Sequence, residues 1–499
     1  MNSGERLAAL DRIEAALTDP AVQHQIEMVL SRRAAERYRV AAPDGAVEFT
    51  RRPKDLRWHF EVTDTTGRNP LGDQATDRFL GLESELANLY PTREQNAYPY
   101  AYEQVSQLFD SPVAPDLAVV HTASHHFHGN IGEHGSLGVV QARGPFIAAG
   151  AGIEQQGIIP RHARMVDMAP TFLAVLGAEP REGTGPTGES RDDALLSRQD
   201  GDVLVDLLDG SRAQHVLVFL LDGVNANVLY DAIENGDAPA IAALAKRGTT
   251  YREGVLASLP TATLANHTTA FTGVHPGSTG IVHNAWLDRQ TGATPDLLLP
   301  DQLFTTMQHL RDDVETVHEA VHRCFTGAHT AVCFEFVDRG ADFSSFALVR
   351  EHVQAYFPSH DEELPNASRE FVESCSGYHW MSRVDTTSVI HACEQWDPAS
   401  GHPLPKFCWV SLSLTDEASH TGGPHSDMAL ASIRDSDARV GAVLEAVELA
   451  GALEDTAVFL FADHGMELND PDNNGGYGAA LEESGVPLRD IAEGFIYLQ

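Results

Sequence analysis

The sequence predicts an α/β fold: a doubly wound, mostly parallel sheet flanked by helices. Two observations carry it. Short apolar runs at 117–120, 216–221, 409–414 and 457–461 are rich in Val, Leu, Ile and Phe, without polar alternation, as strands buried on both faces are. Between them lie helical patterns, for example 238–247 and 432–450, and strand–helix alternation points to a parallel sheet.

A chain of 499 residues with 42% apolar content can bury a large core. No stretch reaches the roughly 18 apolar residues that span a bilayer. At the N-terminus, Leu7, Leu10, Ile13 and Leu17 fall at helical spacing, which predicts an amphipathic helix and no secretion signal. Five cysteines (324, 333, 375, 393 and 408) are odd in number and form no CxxC pair. That argues against a disulfide framework and for a reducing, cytoplasmic setting. The 34 basic and 72 acidic residues leave a net charge of -38, and only Lys54, Lys246 and Lys406 are lysines. Such a surface repels nucleic acid polymers and anionic membranes. Scarce lysine with excess acid fits either a high-salt host or the codon bias of a GC-rich genome.

Residues 178–200 are rich in Gly, Pro and acid and read as a surface connector. Residues 285–405, with scattered aromatics and no clear alternation, read as an insertion capping a site.

Three of the four predicted strands end in aspartate: Asp222 after HVLVFLL, Asp416 after CWVSLSLT and Asp463 after TAVFLFA. Ligands of open α/β sheets bind at the carboxyl ends of strands. Any one aspartate there could simply form a turn, but three converging carboxylates require a cation. His420 follows Asp416 by four residues and His464 follows Asp463 directly. Carboxylate plus imidazole suits zinc, with manganese or iron as alternatives. In LPTATLANHTTAFTGVHPGSTGIVHN, Thr263 precedes a helical run that Gly273 can end. A helix N-terminus favours an anion such as phosphate, and a metal could activate the threonine hydroxyl.

Taken together, LLDG, PTATLANH, HPGSTGIVHN, TDEASH and ADHGM resemble the type I phosphodiesterases and nucleotide pyrophosphatases of the alkaline phosphatase superfamily, with phosphonoacetate hydrolases as cousins. The resemblance covers residues 215–290 and 405–470. It implies an alkaline phosphatase-like fold and two divalent metals, zinc first. One metal would be held by Asp222, Thr263, Asp463 and His464, the other by Asp416, His420 and a further histidine. Thr263 would be the nucleophile and Asn284 would bind a phosphate oxygen. Asn266 is a second substrate-side candidate, with tethering of the nucleophile helix as its favoured role.

In such proteins the further histidine usually lies after the DHG motif, yet residues 465–499 contain none. Residues 116–150, with their GEHG loop, resemble the segment expected there, while 165–177 and 200–210 resemble the closing helix and the tail of such proteins. The resemblance therefore implies a circular permutation: 1–210 equivalent to the usual C-terminal part, and 211–499 to the usual N-terminal part, together one catalytic domain. His134 becomes the third ligand of the second metal, and the strand at 117–120 is expected within the sheet of the later strands. His121, His125, His126 and His128 are assigned to the loop above the site, and His283 and His425 to its surroundings.

The expected activity is hydrolysis of a small phosphate ester, a diester or pyrophosphate, through a phosphoryl- or nucleotidyl-threonine. A phosphonate (C–P) hydrolase or phosphomonoesterase is the alternative, and a non-catalytic metal-binding scaffold the rival from another class. No sulfatase C/S-x-P-x-R motif occurs. The sequence leaves the oligomeric state open, a homodimer included.

Overall fold

The computed structural model describes residues 2–127, 129–356, 377–491 and 494–499. His128 and residues 357–376 of the expected cap lie outside the described residues.

The expected central sheet is present with eight strands, in the order Phe343–Ser344, Thr330–Cys333, Phe407–Leu412, His215–Leu221, Thr456–Phe461, Phe146–Gly150, Gly248–Tyr251 and Gly157–Ile159. All run parallel except Phe146–Gly150, which is antiparallel to both neighbours. The three apolar runs at its centre are buried along their length. Because strand side chains alternate between faces, Val216, Val218 and Leu220 join one hydrophobic cluster, while Leu217, Phe219 and Leu221 join another. The first face packs the helices Met168–Val175 and Thr263–Thr272; the second packs Ala226–Asn235, Pro239–Lys246 and Asp427–Leu449. Sheet and two helical layers thus form the doubly wound arrangement. The predicted N-terminal helix is Ser3–Leu17, with Leu10, Ile13 and Leu17 buried.

Three expectations are corrected. The strand at 117–120 is Leu117–His121, but it lies in a second, antiparallel sheet of seven strands, between Phe495–Leu498 and Ile26–Ala34. The strand that the first 210 residues add to the centre is Phe146–Gly150, whose Ala- and Gly-rich FIAAG carries little strand signal. Residues 285–405 are not simply a cap: Thr330–Cys333 and Phe343–Ser344 extend the central sheet, and Tyr378–Gln395 packs on its face. Finally, the connector at 178–200 folds into a hairpin of Arg181–Thr184 and Ser190–Ala194.

Candidate metal centre

The carboxyl ends of the three central strands bring the predicted donors together. Asp222 follows His215–Leu221 directly, and Asp463 and His464 lie just beyond Thr456–Phe461. The strand Phe407–Leu412 ends earlier than expected, so Asp416 sits in the first turn of the helix Leu414–Gly422, with His420 one turn on. Gly223 permits this convergence: its φ is +60°, and a Cβ there would meet Asp416 Oδ1 at 2.3 Å.

Around Asp222 and Asp463, His464 Nε2 lies 3.0 Å from Asp463 Oδ2, 3.7 Å from Asp222 Oδ1 and 3.4 Å from Thr263 Oγ1. Thr263 is the first residue of the helix Thr263–Thr272, which Gly273 ends in the left-handed conformation as expected. Around Asp416, His420 Nε2 is 3.4 Å from Oδ2 and His134 Nε2 is 3.9 Å from Oδ1. The His134 ring stacks on His464 at 3.8 Å between centroids and lies 5.1 Å from His420. His134, from the first third of the chain, therefore lies among the later motifs.

The tautomers follow from the partners. His134 Nδ1 donates to Thr261 O, His420 Nδ1 to Gly132 O and His464 Nδ1 to Gly465 O. A carbonyl only accepts, so each Nδ1 carries a hydrogen and each Nε2 is turned toward the carboxylates. Metal-binding imidazoles are commonly fixed this way. Thr261 also accepts from Gly135 N and donates to Ser136 O, locking the His134 loop to the start of the helix Thr263–Thr272.

Asp222 Oδ1, Asp416 Oδ1 and Asp463 Oδ2 are buried and make no hydrogen bond. Burial raises the Asp222 pKa well above the carboxylate range, aided by the charges of Asp463 and Asp416. Burial also acts to raise Asp463, but His464 and His267 override it and hold that carboxyl well below its usual value. Burial, with neighbouring His464 and His420, keeps His134 neutral. Burial acts to lower His464 and His420, but Asp463 and Asp416 override it and raise both, so the unpartnered carboxylates favour positive charge here, as a cation site requires. Two groups of these donors, His134 with Asp416 and His464, and Asp222 with His267 and Asp463, lie close enough together to hold a metal ion.

Asn284 lines the cleft beside the site, its Oδ1 3.4 Å from Leu264 N. Asn266 is corrected as a substrate-side residue. It is fully buried, with its Oδ1 accepting from Ser258 N and its Nδ2 donating to Ser258 O, Pro260 O and Ala262 O. Nothing remains for a ligand, and it ties down the turn before Thr263.

Of the other histidines, His121 lines the cleft with its ring on Phe127, while His125 bonds Ser124. Among the described residues, neither these nor His126 falls in a metal-type donor cluster. His283 lines the cleft against Phe495, burial holding it down at about 4. His425 bonds Glu85 instead of facing the donors.

Sequence reasoning gave no role to two residues at the site. His267, one turn after Thr263, places Nε2 3.5 Å from Asp463 Oδ2 and 3.9 Å from Asp222 Oδ2. Its Nδ1 lies 2.7 Å from Glu335 Oε2. His267 stands in the PTATLANH motif, which was its available signal; Glu335, in CFEFVD, had none.

The family model for type I phosphodiesterase / nucleotide pyrophosphatase matches residues 216–492. Among curated relatives, ectonucleotide pyrophosphatase/phosphodiesterase family member 1 of Mus musculus is 25% identical over 251 residues, 50% of this chain and 24% of that protein. The Homo sapiens protein of the same name is 24% identical over 258 residues, 52% of this chain and 24% of its own. The chain thus spans about a quarter of the length of the curated relatives it matches. Similar solved structures include murine ectonucleotide pyrophosphatase / phosphodiesterase 5, at 20% identity and a TM-score of 0.33, covering 50% of this chain and 57% of that one. The human counterpart, at 15% identity, has a TM-score of 0.34 and the same coverage.

Proposed function

The chain belongs to the type I phosphodiesterase / nucleotide pyrophosphatase family, and from that premise we propose that it is a two-metal hydrolase of phosphate diesters with Thr263 as its nucleophile. The observation that carries the reading is the convergence of Asp222, Asp463, His464, Asp416, His420 and His134 around orphaned carboxylate oxygens beside Thr263.

Asp222, Asp463, His464 and Thr263 would hold one divalent metal, and Asp416, His420 and His134 the other, zinc being the first candidate. Bound there, the pair supplies Lewis-acid charge to phosphoryl oxygens and acidifies the attacking hydroxyl and water. Thr263 Oγ attacks phosphorus in line with the departing alkoxide, giving a threonine phosphoester that water then hydrolyses. The unpaired amides of the helix N-terminus and the Asn284 side chain would orient the equatorial oxygens.

A cleft of about 770 Å3 adjoins His134 and His420 and is walled in part by Phe127, Tyr477 and Phe495. Its described lining contains no lysine or arginine and includes the carboxylates Glu133, Asp296 and Asp490. That favours a monoanionic diester over substrates with a second anionic group, such as a phosphonate carrying a carboxylate. Among the described residues, no helix is long and apolar enough to cross a membrane, and the described cysteines are free. A cytoplasmic setting is part of the proposal.

The circular permutation is part of this reading. Its support is that Phe146–Gly150 pairs with Thr456–Phe461, Leu117–His121 pairs with Phe495–Leu498, and Asp200 closes the end of the nucleophile helix through His275 N and Gly273 O. Residues 1–210 and 211–499 would then form one catalytic domain.

Turnover of a bis-nitrophenyl phosphate, compared with the monoester and with phosphonoacetate, tests the activity. The diester should be preferred and turnover should be lost on chelation. Metal binding without hydrolysis of any of the three would leave the scaffold alternative standing.

A further inference from the structure

We propose that His267 is an additional ligand of the metal held by Asp222 and Asp463, with Glu335 fixing its tautomer and aim. This rests on the two-metal reading and adds a donor to those the family resemblance supplies.

His267 is 3% exposed and lies one helical turn beyond Thr263, on the same face of the Thr263–Thr272 helix. Its Nδ1 meets Glu335 Oε2 at 2.7 Å. Glu335 is itself buried and accepts from three further donors: Phe336 N at 2.9 Å, Val337 N at 3.1 Å and Ser411 Oγ at 2.7 Å. A carboxylate so surrounded acts as an acceptor, so Nδ1 carries a hydrogen and Nε2 is the ring nitrogen left to face Asp463 and Asp222.

Nε2 makes no hydrogen bond, and neither does the facing Asp463 Oδ2. Their separation of 3.5 Å, and the 3.9 Å to Asp222 Oδ2, are long for hydrogen bonds. They are close to the spacing of about 3 to 3.5 Å between donors that share one cation with bonds of about 2.0–2.1 Å, here expanded to five-coordinate. Phe336 stacks on the ring at 5.1 Å between centroids, 17° from parallel, and holds its plane. A carboxylate, an imidazole and a metal in line is a recurrent way to hold a ligand. Glu335 and Phe336 follow the strand Thr330–Cys333, so the segment read from sequence as a cap reaches the site through the sheet edge.

The test is cobalt binding to the full chain after metal removal, by equilibrium dialysis with elemental analysis and by the visible absorption of bound Co2+. Four proteins are compared: the parent, His267→Gln, Glu335→Gln and His420→Gln. The parent should bind two ions. His267→Gln should weaken one of them at least about 10-fold and change its absorption spectrum. Glu335→Gln, which keeps the packing, should weaken the same ion by about 10-fold or more, and it carries the test alone if His267→Gln does not fold. His420→Gln should weaken the other ion. Parental affinity and spectrum in both His267→Gln and Glu335→Gln, with one ion lost in His420→Gln, would overturn the inference and leave the two-metal reading intact. A parent that binds no Co2+ tightly overturns both.

Discussion

Replacing Gly223 by alanine would perturb the proposed second metal pocket without replacing a donor. At φ +60°, an alanine carries a left-handed backbone penalty of about 1–2 kcal/mol. Its Cβ would also stand 2.3 Å from Asp416 Oδ1 and 3.0 Å from Asp416 Cγ. Ordinary contact begins near 3.4 Å, so the carboxylate must retreat by about 1 Å. Metal–ligand distances tolerate about 0.2 Å, and a misplacement of about 1 Å can cost on the order of 100-fold in rate. Gly236→Ala is the matched control: Gly236 has φ +83° and nothing within 4 Å of a built Cβ. Both variants should show the backbone penalty in urea unfolding, with Gly223→Ala losing more because of the Asp416 clash. Only Gly223→Ala should lose one metal's affinity by about 10-fold or more and kcat/KM on a diester by about 100-fold. If the two variants match in metal content and kcat/KM, the claim that Asp416 needs this close approach is wrong.

Thr263→Ala should lower kcat on the order of 10^4-fold or more while both metals stay bound; Thr261→Ala should keep turnover but weaken the second metal about 10-fold, because the hydroxyl locking the His134 loop is lost. An inactive Thr261→Ala beside an active Thr263→Ala would assign the nucleophile to the wrong threonine. A separate test concerns His318, which is fully buried among Phe271 and Phe407 with neither nitrogen bonded, and burial drives its pKa down to about 3 from 6.5. The unfolded state therefore binds the extra proton between those values, and stability from this group falls as pH drops from 6.5, by up to about 1.4 kcal/mol per pH unit. His318→Leu should flatten the decline in urea midpoint over that range; an unchanged slope would refute the assignment.

The central strands were legible because burial on both faces forces a continuous apolar run, as in HVLVFLL and TAVFLF. The same property misplaced LAVVH at 117–121, since an apolar run does not name its neighbours. Its partners, Ile26–Ala34 and Phe495–Leu498, are remote in sequence. Thr330–Cys333 and Phe343–Ser344 were missed because strands of four and two residues carry too little pattern. At the site, carboxylates at strand ends and the motifs around them supplied the donors first proposed for the two pockets, His134 included, but not His267. Asn266 keeps its favoured reading as a tether, while its substrate-side alternative falls because its amide is spent on the turn before Thr263. The Glu335 contact to His267 depends on a strand edge 68 residues away and on no local spacing.

His134, from the first third of the chain, is proposed to complete a metal pocket built by the later motifs. Anomalous scattering at the metal edge from crystals of the purified chain tests it directly. The account predicts two peaks, one within bonding distance of His134 Nε2, Asp416 and His420 Nε2, the other beside Asp222, Asp463 and Thr263. A single peak, or a second peak that His134 does not reach, would contradict it.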